Sequence, residues 1–97
     1  MRVMLRATMN TEAANEGIKN GTLPKAVESM MERLKPEAAY FTPNHGSRSC
    51  ILVFDMQDTS QMPSISEPLF QQFGAEVEMQ PVMNADDLRK GLSALQQ

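Results

Sequence analysis

The sequence predicts a single α+β domain, in which one four-stranded antiparallel sheet is built in the order β-α-β-β-α-β and followed by a terminal helix. Three observations predict it. Arg2 to Met9 and Ala75 to Val82 both alternate in polarity with the period of two that places side chains on opposite faces of a strand. Between them, Leu34 to Met56 reads as a helix end, a strand, a turn and a second strand, and its segment Cys50 to Phe54 is the longest unbroken apolar run of the chain. The segments flanking this hairpin carry apolar residues three and four apart, the spacing of one helix face.

Taken in order, the first strand puts Val3, Leu5 and Ala7 on one side and Met4, Arg6 and Thr8 on the other. Asn10 or Thr11 then offers a side-chain oxygen to the free N–H groups of a helix start, and Glu12 places negative charge near its positive end. Asn20-Gly21 stops that helix and Leu23-Pro24 restarts it, so a break is expected near Gly21. The second piece carries its stripe on Leu23, Val27, Met30, Met31 and Leu34, and Pro36 ends it by pushing Lys35 toward extended backbone.

Asn44-His45-Gly46 is the turn of the hairpin, with Gly46 in the left-handed position. A further helix starts near Ser60, where Asp58 to Ser64 offers several caps, and its stripe is Met62, Ile65, Leu69, Phe70 and Phe73. Pro68 within it loses an N–H bond and crowds the Ser64 carbonyl, and Gly74 closes the helix. After the last strand, Asn84 caps a helix carrying Leu88, Leu92 and Leu95, with Asp86 and Asp87 well placed at its N-terminus.

This order is the split βαβ, or ferredoxin-like, arrangement, in which the first and third strands are central. The prolines agree with it. A central strand must donate every N–H, and Pro43 and Pro81 fall only in the two strands expected at the edges. If the hairpin pairs Pro43 with Arg48, then Phe41, Cys50, Leu52 and Phe54 pack under the helices, while Tyr40, Thr42, Ser49, Ile51 and Val53 join Met4 and Arg6 on the open face; a slip of one residue would exchange the two sets. Either register leaves apolar side chains on both faces of Cys50 to Phe54, and the remedy expected is a second copy packed face to face, enclosing a barrel-like space.

Composition excludes several classes. The 97 residues suffice for one domain, which buries roughly 65% of its unfolded surface, and a net charge of −3 repels phosphate backbones. No nucleic-acid partner is expected. No apolar run nears the roughly 20 residues of a membrane helix, and Arg2 interrupts the start of any signal core, so a cytoplasmic protein without a membrane partner is expected. One Cys and one His cannot build an all-Cys/His zinc site, and no cofactor or metal is implied. The nine Met read first as core filler.

The strings Gly21-Thr-Leu-Pro-Lys25, Leu34-Lys-Pro-Glu-Ala-Ala-Tyr-Phe41, Phe54-Asp-Met-Gln-Asp58, Glu67-Pro-Leu-Phe70 and Pro81-Val-Met83 resemble those of a family of small uncharacterised bacterial proteins in the dimeric α/β-barrel superfamily. The resemblance spans nearly the whole chain. It implies the fold and the homodimer but no activity; the wider superfamily includes cofactor-free oxygenases, small isomerases and haem enzymes, which share a scaffold rather than a chemistry.

His45, with its near-neutral ordinary pKa, and Tyr40 are the candidate proton-handling groups of a cofactor-free isomerase or oxygenase; the plainer reading makes His45 an exposed turn residue. Arg6 is a mid-strand charge facing Glu78 of the last strand, either an ion pair of the dimer seam or an anion hook. Arg6, Tyr40, Thr42 and Glu78 are the candidate ligand contacts. Arg48 either holds a carboxylate or solvates a strand end, and Cys50 reads as an inert buried thiol. The function expected is a cytoplasmic homodimer that binds a small apolar or aromatic molecule, acidic ones included, in the pocket between sheet and helices or between the two sheets; the alternatives are the isomerase or oxygenase and a non-catalytic interaction module.

Overall fold

The computed structural model describes residues 1–96. The chain runs β1 (Arg2–Thr8), α1 (Thr11–Asn20), α2 (Thr22–Leu34), β2 (Ala38–Asn44), β3 (Ser47–Asp55), a short 3₁₀ turn (Thr59–Gln61), α3 (Met62–Phe73), β4 (Glu76–Pro81) and α4 (Ala85–Ala94). All sheet neighbours are antiparallel, in the order β2-β3-β1-β4. The proline-free strands β1 and β3 are therefore interior, and Pro43 and Pro81 lie in the two edge strands.

The break in the first crossover falls where the sequence puts it. Gly21 adopts φ 80°, and the Asn20 side chain accepts from both the N–H (3.0 Å) and the hydroxyl (2.7 Å) of Thr22, closing one helix and opening the next. Asn10 caps α1 through the Ala13 N–H at 3.0 Å. Lys35 ends α2 as expected but in left-handed geometry, φ 45°, rather than the extended backbone that Pro36 favours, and its N–H still reaches the Met31 carbonyl at 3.0 Å. In α3 the helix continues through Pro68, and the Ser64 carbonyl that Pro68 cannot serve accepts instead from Arg33 of α2 at 3.4 Å.

The hairpin pairs Pro43 with Arg48, so the register that places Cys50, Leu52 and Phe54 under the helices is the one formed. These three are buried with Val3, Leu5 and Ala7 of β1, and Ile65, Leu69 and Phe73 of α3 close the core above them. Gly17 of α1 lets the helices approach: a Cβ there would stand 2.8 Å from the Phe73 ring and 3.1 Å from the Leu23 Cβ.

Two expectations, on Phe41 and on the methionines, need correction, and the turn and the last helix add to the sequence reading. Phe41 shares the helix-side face with Cys50 but is 57% exposed, because among the described residues no helix packs substantially on edge strand β2. The turn places both His45 (φ 51°) and Gly46 (φ 81°) in the left-handed region, because a two-residue hairpin connection of the I′ kind needs it at both positions to match strand twist. Met is core filler only in part: Met9, Met30 and Met56 are buried and Met31 and Met79 pack against them, whereas Met1, Met62 and Met83 are exposed. Finally, the leucine stripe of α4 covers nothing, since no residue of that helix is buried.

Candidate functional site

Register converts the open face into rows. Residues directly paired across strands share a face, so Tyr40, Ile51, Arg6 and Glu78 form one continuous row from β2 through β3 and β1 to β4. Ala38, Val53, Met4 and Gln80 form the row toward the Met1 end, and Thr42, Ser49, Thr8 and Glu76 the row toward the hairpin tip. Across these three rows the apolar side chains lie toward the Met1 end and the hydroxyls toward the tip, while Arg2 and Asp55 stand opposite each other beyond them at the Met1 end. Tyr40 is 64% exposed, while Met4, Arg6, Ile51 and Val53 are half-buried.

Arg6 and Glu78 stand directly opposite each other, as the alternation predicts. They nevertheless form no ion pair within 4.0 Å, and among the described residues the bridges are Met1–Asp55, Arg2–Glu37, Arg2–Asp87 and Arg89–Asp86. The Arg6 guanidinium thus stands between Ile51 and Glu78 in its row without an ion-pair partner within 4.0 Å. Arg2, at the Met1 end of the same face, is the side chain that sequence reasoning passed over: it joins Glu37 before β2 to Asp87 in α4, two partners too distant in sequence for any local pattern to reveal.

The opposite face carries a cleft of about 580 Å³ between the β2–β3 hairpin and the α1–α2 layer. Met9, Leu23, Val27, Phe41 and Cys50 make it largely apolar, and Asn15 and Arg48 are polar side chains on its rim. Arg48 is held: its Nη1 donates to Asn15 Oδ1 at 2.9 Å, which fixes one side of the guanidinium and leaves other donors free. Burial pushes the Cys50 thiol up, against a lowering backbone hydrogen bond with Ala7, so the cleft floor holds a neutral thiol rather than a nucleophile. The exposure of Phe41 has the same origin as the cleft, the end of the helix layer at β3.

Residues 1–96 match the domain of unknown function DUF3303. The chain belongs to that family. No curated protein matches it. Among solved structures it is similar to the de novo designed protein Ferredog-Diesel, at 10% identity and a TM-score of 0.47 over 84% of this chain and 85% of that one.

In this DUF3303 domain the sequence-selected residues separate into two places. Arg6, Tyr40 and Glu78 share a row of the open face, and Thr42 lies in the next row while also bordering the helix-side cleft. His45 lies elsewhere, lining a polar hollow at the hairpin tip with Asn10, Glu12, Asn44 and Glu76. It is five residues beyond Tyr40 along an extended strand and turn, and the two candidate proton-handling groups do not meet on one substrate atom within a chain. Of the residues the sequence singled out, Thr42, Arg48 and Cys50 border the cleft, and its other wall comes from α1 and α2.

Proposed function

We propose that this DUF3303 chain is one ferredoxin-like half of a dimeric α/β barrel, joined to a second copy through its open sheet face, and that each half binds a small aromatic acid in its helix-side cleft. The observation that carries the binding reading is the Arg48 guanidinium, braced by Asn15 over an apolar cleft of about 580 Å³. That volume and that mixture, apolar walls with a few fixed polar groups, are what drug-sized ligands occupy. An aromatic ring would lie against Phe41, Leu23 and Val27, and its carboxylate would take the free donors of Arg48. In this arrangement Arg6, Tyr40 and Glu78 belong to the seam between copies. A cytoplasmic location accompanies the reading.

One observation favours a second placement of the ligand. Arg6 faces Glu78 without bonding to it, so an anion held between the sheets would find an uncommitted guanidinium, with Tyr40 and Thr42 as neighbouring polar contacts.

Titration calorimetry with salicylate and its neutral analogue salicylamide separates the placements. Salicylate is expected to bind more tightly than salicylamide, and Arg48→Ala to weaken salicylate about 10-fold or more, the size of a lost charge-assisted hydrogen bond. Arg6→Ala should leave that affinity unchanged. The reverse pattern moves the ligand between the sheets, and binding of neither probe favours a non-catalytic interaction module. Sedimentation velocity on the same sample tests the assembly, and a monodisperse monomer at micromolar concentration would sink the barrel.

A further inference from the structure

We infer that α4 is an exchange arm that docks on the second copy rather than on its own chain. The inference rests on the dimer proposed above and specifies who covers what within it.

The helix has a face but no place of its own to bury it. Leu88, Leu92 and Leu95 recur at helical spacing and are 45%, 52% and 79% exposed, and Met83 just before them is 66% exposed. A ten-residue helix is marginal in isolation, since helices shorter than about 12–15 residues rarely hold without packing. Among the described residues α4 makes no substantial packing contact with any other element. The molecule is correspondingly long, 57 × 27 × 18 Å with a radius of gyration of 15.5 Å, where a compact chain of this length would have about 12.5 Å.

Its point of departure indicates the occupant. Arg2 lies on the open face, and its Nη1 donates to Asp87 Oδ2 at 3.0 Å, so α4 starts at the Met1 end of the face that the second copy would cover. The helix that carries the leucine stripe thus begins next to the row of Met4 and Val53 on that face.

Area leads to the same occupant. Four strands of about seven residues present a projected footprint of roughly 450 Å². A helix of this length adds a footprint of roughly 160 Å², and in a two-fold dimer each copy both gives one arm and receives one, so the arms enlarge the contact by more than about half.

The test compares wild type, Leu88→Glu/Leu92→Glu and Leu88→Met/Leu92→Met by sedimentation velocity from about 0.1 to 100 μM, a range bracketing common dimer affinities. The Glu pair is expected to raise the dimer dissociation constant at least about 10-fold, by placing charges in an apolar seam, while the Met pair keeps it and circular dichroism shows both variants folded. Cross-linking through Lys90 in a mixture of ¹⁵N-labelled and unlabelled protein is expected to give mixed-isotope pairs. A Glu variant as tightly dimeric as wild type, or cross-links only between peptides of one isotope, would overturn the arm while leaving the dimer standing. A monomeric wild type would remove the dimer and the arm together.

Discussion

Gly17 is a point of close approach between α1 and its neighbours α2 and α3, and it bears on how α1 and α3 share the core. Ala at an ordinary helix interior position gains about 1 kcal/mol over Gly, but here the added methyl meets the Phe73 ring at 2.8 Å, and Phe73 is only 1% exposed with nowhere to turn. Overpacking of this kind costs about 1–3 kcal/mol, so Gly17→Ala is expected to destabilise by about 1 kcal/mol net, read as a lower urea midpoint with unchanged slope. A raised midpoint would show that α1 slides away freely. The sequence marks Gly17 only as a poor helix former, because its neighbour across the core lies more than fifty positions away. The same limit hid Arg33 behind the Ser64 carbonyl: Pro68 announces that a carbonyl will be left over, but not which side chain will serve it. Arg6 and Glu78 were legible as opposed positions, since strand alternation fixes a face; that they stand opposite without bonding was not, because side-chain reach is not encoded in periodicity.

Among the elements, those with local signals were readable to within a residue or two. The two helices of the first crossover, the Gly74 stop and the Asn84 cap follow from side-chain oxygens and left-handed backbone, both of which act over four residues or fewer. Asn10 shows how much one such position can carry. Its side chain accepts from the Ala13 N–H, its carbonyl from the Ala14 N–H, and its own N–H donates to the Phe73 carbonyl at 3.0 Å, so the start of α1 is tied to the end of α3. Asn10→Ala removes only the first of these bonds. The expected loss is about 1 kcal/mol, with faster amide exchange at Ala13, and Asn10→Ser should recover most of it; equal loss in both variants would place the stability elsewhere than in the cap. What the local signals did not give was coverage. The sequence assigns Phe41 to the helix side correctly, yet whether a helix reaches edge strand β2 depends on where α2 lies, and that is set by packing on α1 and the core.

Across the whole molecule, three of the four ion pairs among the described residues collect at one end of the sheet, where the chain begins, β3 ends and α4 departs. The Met1 ammonium donates to Asp55 at 2.7 Å, Gln57 donates to the other oxygen at 2.8 Å, and Arg2 bridges Glu37 and Asp87 beside them. The Met1 ammonium, then Gln57, holds the Asp55 carboxyl below the usual carboxylate range. Asp58 is held down likewise, chiefly by the Ser60 backbone N–H that it caps. For both groups the folded value lies below the unfolded one, so the unfolded chain binds more protons as acid is added, and stability must fall with pH there. The contribution is complete above the ordinary carboxylate value of about 4 and is lost as pH drops through the lower folded values. The urea midpoint is therefore expected to stay level from neutral pH to about pH 5 and decline below about pH 4. Asp55→Asn/Asp58→Asn should start from a lower midpoint at neutral pH and decline less on acidification, since the bonds that acid would break are already gone. Both carboxylates are exposed, which makes the effect small and salt-sensitive, so the comparison is between slopes rather than between single values. Parallel acid declines in the two proteins would locate the sensitivity in other carboxylates, whereas a shallower decline confined to the variant assigns it to the end of the sheet from which α4 departs.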